Sequence, residues 1–141
     1  METQNAQLMK PPEGQVLHIP KKVTIETIFG CNASCTMCVI DAPTDRKKGI
    51  MPLEMSNKIM DELEPYKDQI QQIDLFMLGE PLLDPFIFER IRYAKKKGFK
   101  HIGMSTNADL LFEDKQRKLL ESGIDTVIFS IDGIKAETHE A

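Results

Sequence analysis

The feature that most constrains the fold of this chain is an alternation of strand-like and helix-like segments, with a period of about 25 residues. Short apolar, β-branched stretches predict strands at 23–29, 73–78, 101–105 and 126–131. Between them, apolar residues at helical spacing predict helices at 53–64, 85–97 and 112–122. Strands that alternate with helices pair in parallel through right-handed crossovers. The sequence therefore predicts an α/β fold of about four parallel strands, in an open sheet or an incomplete (β/α) barrel.

The same spacing predicts which face of each helix is buried. The predicted inward positions are Met55, Ile59 and Leu63 in the first helix, Ile87, Ile91 and Ala94 in the second, and Gln116, Leu119 and Leu120 in the third. A glycine follows the second helix and another follows the third. We expect Gly98 and Gly123 to cap the C-terminal ends of these helices.

Composition narrows the possible partners and the location of the protein. The 141 residues predict a single domain, with an irregular N-terminal arm over 1–22 and a core over 23–141. The net charge of −4 offers no electrostatic reason to expect nucleic acid or an anionic membrane as a partner. No apolar run approaches the roughly 20 residues of a membrane span, and no signal-peptide pattern follows Met1. We therefore expect a cytoplasmic protein.

The chain has only three cysteines, Cys31, Cys35 and Cys38, close together in one segment. An odd number of closely spaced thiols in a cytosolic chain favours metal binding over disulfides. Three soft sulfur ligands in a C-x₃-C-x₂-C loop can wrap three irons of a four-iron–four-sulfur cluster. Without a fourth cysteine, one iron would keep an open position, as catalytic metal sites do. A Cys₃His zinc site that includes His18 or His101 is the alternative, although neither histidine has zinc-knuckle spacing.

Polar or small residues follow each predicted strand, where parallel α/β folds bind their ligands. The strand ends carry the sequences CNASCTMC at 31–38, LGEP at 78–81, STNA at 105–108 and SIDG at 130–133. Because the carboxyl ends of parallel strands share one edge of a sheet, these segments should lie together. A purely structural sheet would not require this arrangement.

Together the four motifs resemble those of the radical S-adenosylmethionine (SAM) enzymes in order, spacing and placement, from residue 23 onward. The run at 81–85 and the stretch at 130–139 are most similar to the branch with an added cluster-binding (SPASM) domain. The resemblance implies the N-terminal part of a six-unit (β/α) barrel, incomplete at its C-terminus. It also implies an enzyme in which a reduced 4Fe–4S cluster cleaves SAM, and the resulting 5′-deoxyadenosyl radical removes a hydrogen atom from a substrate.

The resemblance also implies roles for individual residues. Cys31, Cys35 and Cys38 would bind the cluster, and the open iron would bind the amino and carboxylate groups of SAM. The implied cofactor-binding residues are Gly79, Glu80, Thr106, Asn107 and Ser130. In the family, the 78–80 turn receives the methionine amino group, and the two hydroxyl positions contact the methionine carboxylate or the ribose. Met37 departs from the family pattern, because an aromatic residue usually stands there beside the adenine.

Several of these side chains also have structural interpretations. Hydroxyls at strand ends often cap the next helix, which applies to Thr106 and Ser130, and for Asp132 we favour an N-cap. Glu26 needs a partner if it points inward from the first strand, and the functional and structural interpretations both stay open. The basic run at 46–48 could dock an acidic electron donor, but a solvated loop is the simpler interpretation.

The resemblance implies partners as well. An electron donor such as flavodoxin or ferredoxin would reduce the cluster, and the unknown substrate would be a peptide, a sugar or a cofactor precursor. The alternative function is that of a non-catalytic iron–sulfur or zinc-binding module, or of a fragment that needs a partner chain.

Overall fold

A computed structural model describes residues 18–133 and residue 135. The strands are β1 (Lys22–Thr24), β2 (Ile28–Phe29), β3 (Gly49–Ile50), β4 (Gln72–Asp74), β5 (Ile102–Thr106) and β6 (Thr126–Phe129). The helices are α1 (Leu53–Leu63), α2 (Ile87–Lys97) and α3 (Glu113–Glu121). Most of the predicted N-terminal arm and the end of the 130–139 stretch lie outside the described residues. None of the helices in the described part of the chain is long and apolar enough to cross a membrane.

Four strands form one sheet in the order β1-β4-β5-β6, and every neighbouring pair is parallel. Ile73 of β4 pairs with Val23 on one side and with Ile102 on the other, and Met104 of β5 pairs with Val127 of β6. A helix lies in the chain between each pair of parallel neighbours. The prediction of an α/β fold with four parallel strands is therefore confirmed.

The first predicted strand differs from the expectation. The segment 23–29 divides into β1 and β2, and β2 leaves the main sheet to pair antiparallel with β3. Ile28 pairs with Ile50, and the Met51 N–H donates to the Thr27 carbonyl at 2.8 Å. The pairing brings the two ends of the cysteine loop together, which is a long-range contact that local periodicity does not reveal.

The apolar core lies between the sheet and helices α1 and α2. Its least exposed apolar side chains are Met60, Ile70, Ile73, Leu75, Ile87, Ile91, Ala94, Ile102 and Met104. The predicted inward face of α2 is thereby confirmed. Burying each of the larger side chains contributes roughly 1.5–3 kcal/mol, so this layer supplies the rigid base on which the loops at the sheet edge rest.

The predicted faces of α1 and α3 are partly wrong. In α1, Ser56 is buried whereas Met55 is half exposed. The buried guanidinium of Arg90 donates to the Ser56 hydroxyl, so this face of α1 satisfies a polar group as well as covering the core. Helix α3 buries Leu119 but leaves Leu120 83% exposed, because adjacent residues point about 100° apart around a helix.

Gly98 and Gly123 end helices as predicted. Their φ angles of 88° and 80° lie in the left-handed region, which glycine enters without steric cost. The Gly98 N–H donates to the Lys95 carbonyl at 3.0 Å and so satisfies a carbonyl in the last turn of α2.

Asp125 connects α2 to the sheet. Its carboxylate accepts hydrogen bonds from Lys95 Nζ and from the Ile102 N–H, both at 2.8 Å. Burial alone would raise the pKa of Asp125, but the hydrogen bonds from Lys95 and Ile102 hold it below its ordinary value. The ionised carboxylate therefore stabilises the junction between helix and strand.

Candidate functional site

An open cleft of about 420 Å³ lies at the carboxyl edge of the sheet. Its walls come from the cysteine segment and from the segments that follow β4, β5 and β6. The predicted residues that line it are Cys31, Cys35, Cys38, Gly79, Glu80, Thr106, Asn107, Ser130 and Asp132. The structure therefore brings every site residue predicted from the sequence to one surface. Phe76 and Met77 line it too, without a motif that singled them out.

The cysteine segment is an irregular loop shaped by local hydrogen bonds. The Cys38 N–H donates to the Cys35 carbonyl at 2.9 Å and forms a turn between the second and third thiols. Cys31 is half-buried, Cys35 and Cys38 are exposed, and all three are free thiols. Ile40 is buried and anchors the loop just beyond them. Three free thiols on an open cleft fit the donor set of a cluster that leaves one iron without a protein ligand.

A polar tie holds the later part of this loop. The Asp41 carboxylate accepts hydrogen bonds from Lys48 Nζ at 2.6 Å and from Ser34 Oγ at 3.2 Å. These contacts, that of Lys48 first, hold the pKa of Asp41 below its ordinary value. The tie is solvent-exposed, so its contribution to stability is small and depends on salt.

Glu26 links the cysteine loop to the turn after β4. Its carboxylate pairs with Arg46 and accepts a hydrogen bond from the Leu78 N–H at 3.1 Å. The Arg46 guanidinium lies 4.1 Å from the centre of the Phe29 ring, a cation–π distance. Glu26 thus has the partners that an inward carboxylate needs, and Arg46 is engaged within the protein.

Gly79 lies where the turn after β4 meets the backbone of β2. A Cβ at this position would be 2.2 Å from the Ile28 carbonyl oxygen and 3.0 Å from the Gly30 carbonyl oxygen. The Glu80 N–H donates to the Gly30 carbonyl at 2.9 Å. Only glycine permits this close approach. The hydrogen bond then holds the turn against the backbone that leads directly into Cys31.

The Glu80 carboxylate is a buried junction between two walls of the cleft. It is 3% exposed and accepts hydrogen bonds from the Leu82 N–H at 2.9 Å, from the Thr106 hydroxyl at 2.7 Å and from the Asn107 N–H at 2.9 Å. Because the carboxylate is buried and already accepts from three protein donors, the backbone of this turn is better placed to contact a ligand. The Thr106 hydroxyl in turn accepts from the Ala108 N–H at 3.0 Å.

Ser130 and Asp132 form the β6 side of the cleft. The Ser130 N–H donates to the Thr106 carbonyl at 2.9 Å and extends the pairing of β6 with β5, while the residue is exposed. Asp132 is also exposed, and the helix that we expected it to cap lies outside the described residues. Met37, on the cysteine segment, is 71% exposed at the cleft.

A buried ion pair holds the segment that follows β4, one of the segments that form the cleft, and no sequence motif indicated this pair. Arg90 Nε lies 2.8 Å from Asp84 Oδ2, and both side chains are 0% exposed. Arg90 also donates to the Ser56 hydroxyl and the Met51 carbonyl, while Asp84 accepts from the Phe86 N–H at 2.9 Å. The pair joins the segment after β4 to the start of α1, through partners that are distant in sequence.

Neither histidine of the zinc alternative joins the cysteines. His101 precedes β5, away from the carboxyl edge, and its ring nitrogen is bonded to the Thr126 hydroxyl at 2.9 Å. His18 lies exposed before β1. Within residues 18–133 and 135, no three Cys, His, Asp or Glu side chains are grouped closely enough to hold a single metal ion.

The fold and the cleft define a parallel α/β protein with a thiol-bearing ligand site at the carboxyl edge of its sheet. A family model described as the radical SAM superfamily matches residues 25–141. The chain therefore belongs to the radical SAM superfamily, whose members are enzymes that use a 4Fe–4S cluster and SAM.

Curated relatives share the site-bearing region. The tungsten-containing aldehyde ferredoxin oxidoreductase cofactor-modifying protein of Pyrococcus furiosus is 34% identical over 112 residues, which cover 79% of this chain and 31% of that protein. The AdoMet-dependent heme synthase of Methanosarcina barkeri is 30% identical over 125 residues, which cover 86% of this chain and 34% of that protein. The chain thus spans about a third of the length of these relatives.

A solved structure supports the fold. The crystal structure of BtrN in complex with AdoMet and 2-DOIA matches with a TM-score of 0.72 and 22% identity, over 84% of this chain and 48% of that chain. At this identity the likeness concerns the fold alone, and it confirms the prediction of a partial (β/α) barrel.

Proposed function

We propose that this chain forms the SAM-cleaving site of a radical SAM enzyme. Cys31, Cys35 and Cys38 would each bind one iron of a 4Fe–4S cluster, and the fourth iron would be open to SAM. The observation that supports this best is the meeting of three free thiols with the turn after β4 and the ends of β5 and β6 at one cleft. When bound, the reduced cluster supplies the electron that splits SAM into methionine and a 5′-deoxyadenosyl radical.

The remaining residues would hold SAM in place. Gly79 and Glu80 would offer backbone groups to the methionine amino group, since the Glu80 carboxylate is occupied by protein donors. The exposed Ser130 suits a direct contact with the methionine carboxylate or the ribose. Thr106 is buried, so its main role would be to hold the Glu80 carboxylate through its hydroxyl. The neighbouring Asn107 would hold the same carboxylate through its backbone N–H.

The substrate of the whole protein is a separate proposal, because the chain spans only about a third of its relatives. Two of those relatives are named as a cofactor-modifying protein and a heme synthase. Of the three classes considered from the sequence, these names favour a cofactor precursor over a peptide or a sugar. Radical SAM enzymes also need a reductant, for which we propose flavodoxin or ferredoxin, in the cytoplasm.

Anaerobic reconstitution with ferrous iron and sulfide tests the proposed site. We expect the protein to take up iron and sulfide, and SAM to change the electron paramagnetic resonance (EPR) spectrum of the reduced cluster. The Cys35→Ser variant should lose the cluster. Ser34→Ala is the matched control, because Ser34 is an exposed neighbour in the same loop whose hydroxyl bonds Asp41 instead of facing a thiol. Its spectrum should match that of the parent.

Two results would contradict the proposal. A reduced-cluster spectrum that SAM leaves unchanged would mean that the open iron is not a SAM site. Binding of zinc without uptake of iron would favour the alternative of a non-catalytic module.

A further inference from the structure

Three polar side chains join the cysteine loop to the loop after β5 in a closed ring of hydrogen bonds. Asn32 Nδ2 donates to Asp109 Oδ2 at 2.7 Å, and Asn107 Nδ2 donates to Asn32 Oδ1 at 3.2 Å. The Asp109 N–H then donates to Asn107 Oδ1 at 3.1 Å and closes the ring. Ala108, between the last two residues, has a φ of 65°, so the ring is built on a backbone conformation that alanine rarely adopts.

The ring determines which way the Asn107 amide points. A backbone N–H can only donate, so the atom that accepts from Asp109 N–H must be the amide oxygen of Asn107. A carboxylate can only accept, so the Asn32 atom that faces Asp109 must be the amide nitrogen. The Asn32 oxygen therefore faces Asn107. Each amide orientation is fixed by a partner whose role cannot be reversed.

The consequence concerns the first cysteine. With its oxygen turned to the Asp109 N–H, Asn107 directs Nδ2 toward Cys31 Sγ at 3.9 Å. The Ala33 N–H donates to the same sulfur at 3.4 Å. Among the hydrogen bonds of the described residues, the sulfurs of Cys35 and Cys38 accept none. The three thiols thus differ, and Cys31 is the one with N–H donors aimed at it.

We propose that Asn107 is a positioning residue that raises the reduction potential of the cluster through Cys31. The inference rests on the proposed function, in which the Cys31 thiolate binds an iron. An N–H group directed at a ligand sulfur stabilises the additional negative charge of the reduced cluster, and hydrogen bonds to the sulfurs are among the factors that set cluster potentials. Asn32 and Asp109 contribute by holding the amide in this orientation.

The experiment is an EPR-monitored redox titration of the reconstituted protein without SAM. Asn107→Leu removes the donor with little change in volume or charge, and Asn107→Asp removes the donor but keeps an acceptor for the Asp109 N–H. In both variants we expect the ratio of reduced to oxidised cluster at a fixed potential to fall roughly three- to tenfold; tenfold corresponds to about 59 mV for a one-electron couple. Asp109→Ala keeps the backbone N–H that orients the Asn107 amide, so neither this variant nor Ser34→Ala should lower the ratio.

A second measurement, the affinity for SAM, separates the alternatives. Variants whose clusters titrate like the parent's while their SAM affinity falls would overturn the inference and make Asn107 a direct SAM contact. If Asn107→Leu fails to load iron, Asn107→Ala, which also removes the donor without adding a charge, decides, and an unshifted potential there would overturn the inference. A parent protein that loads no cluster, or whose cluster ignores SAM, would instead refute the proposed function.

Discussion

The closest backbone contact at the site gives the most direct test of the fold around it. Replacing Gly79 with alanine places a Cβ 2.2 Å from the Ile28 carbonyl oxygen, so the two segments must separate by about 1 Å to reach an ordinary contact. The turn cannot retreat freely, because the Glu80 N–H is bonded to the Gly30 carbonyl at 2.9 Å. Either the hydrogen bond lengthens or the hairpin that carries Cys31 moves.

The expected loss of stability in Gly79→Ala follows from these two contacts. Forcing an extra carbon into a packed site costs typically about 1–3 kcal/mol, and a weakened backbone hydrogen bond adds about 1 kcal/mol. We therefore expect Gly79→Ala to lower the free energy of unfolding by about 2–4 kcal/mol, measured by urea denaturation followed by circular dichroism. Reconstituted Gly79→Ala should also bind less iron than the parent, because the displaced backbone continues into the cysteine loop.

Gly49→Ala is the matched control. Gly49 lies in the same hairpin, its φ is not in the left-handed region, and a Cβ there would meet nothing within 4 Å. Its free energy of unfolding should stay within about 0.5 kcal/mol of that of the parent. If Gly79→Ala were as stable as Gly49→Ala, the close approach of the turn to β2 would not exist in solution.

Three further predictions concern stability, each measured by urea denaturation. Ala108→Gly should raise the free energy of unfolding by about 0.5–1 kcal/mol, because the strain energy of an alanine in the left-handed region exceeds the cost of the extra entropy that glycine gives the unfolded chain. A lower free energy of unfolding would show that Ala108 is not strained. Arg90→Met should lower it by about 3–5 kcal/mol by leaving Asp84 buried without its partner, and adding Asp84→Asn should restore part of the loss. For Asp125 the lowered pKa means that the stabilisation is complete above the unfolded value of 3.8 and is lost as the pH falls through the folded value. The advantage of the parent over Asp125→Asn should therefore shrink as the pH is lowered past 3.8, and a constant difference would contradict the role given to Lys95.

Much of the site could be predicted because its organisation follows the chain locally. The strand-end segments follow their strands directly, and parallel strands bring their carboxyl ends to one edge, so the cysteines, the 78–80 turn and Ser130 could be expected together. The ring of Asn32 and Asp109 could not be predicted in the same way. These two residues are 77 positions apart, and their contact depends on the left-handed turn at Ala108.

The buried faces of the helices were also predicted correctly only where they depend on local spacing. Periodicity predicted the buried face of α2 correctly, since Ile87, Ile91 and Ala94 all lie in the core. It was only partly right for α1, where Ile59 and Leu63 pack against the core but Met55 is half exposed and the buried Arg90 meets Ser56 across a gap of 34 positions. Apolar spacing carries no information about a polar partner on another helix.

By itself, the sequence determined the α/β alternation, the family and the three thiols with no fourth, because these depend on residue type and on spacing along the chain. The tertiary structure decided which polar groups at the cleft remain available. It buries the Glu80 carboxylate under three protein donors, leaves Ser130 exposed, and directs the Asn107 amide at Cys31. The physical reason is that a hydrogen bond is decided by the distance and direction of partners that only folding brings together.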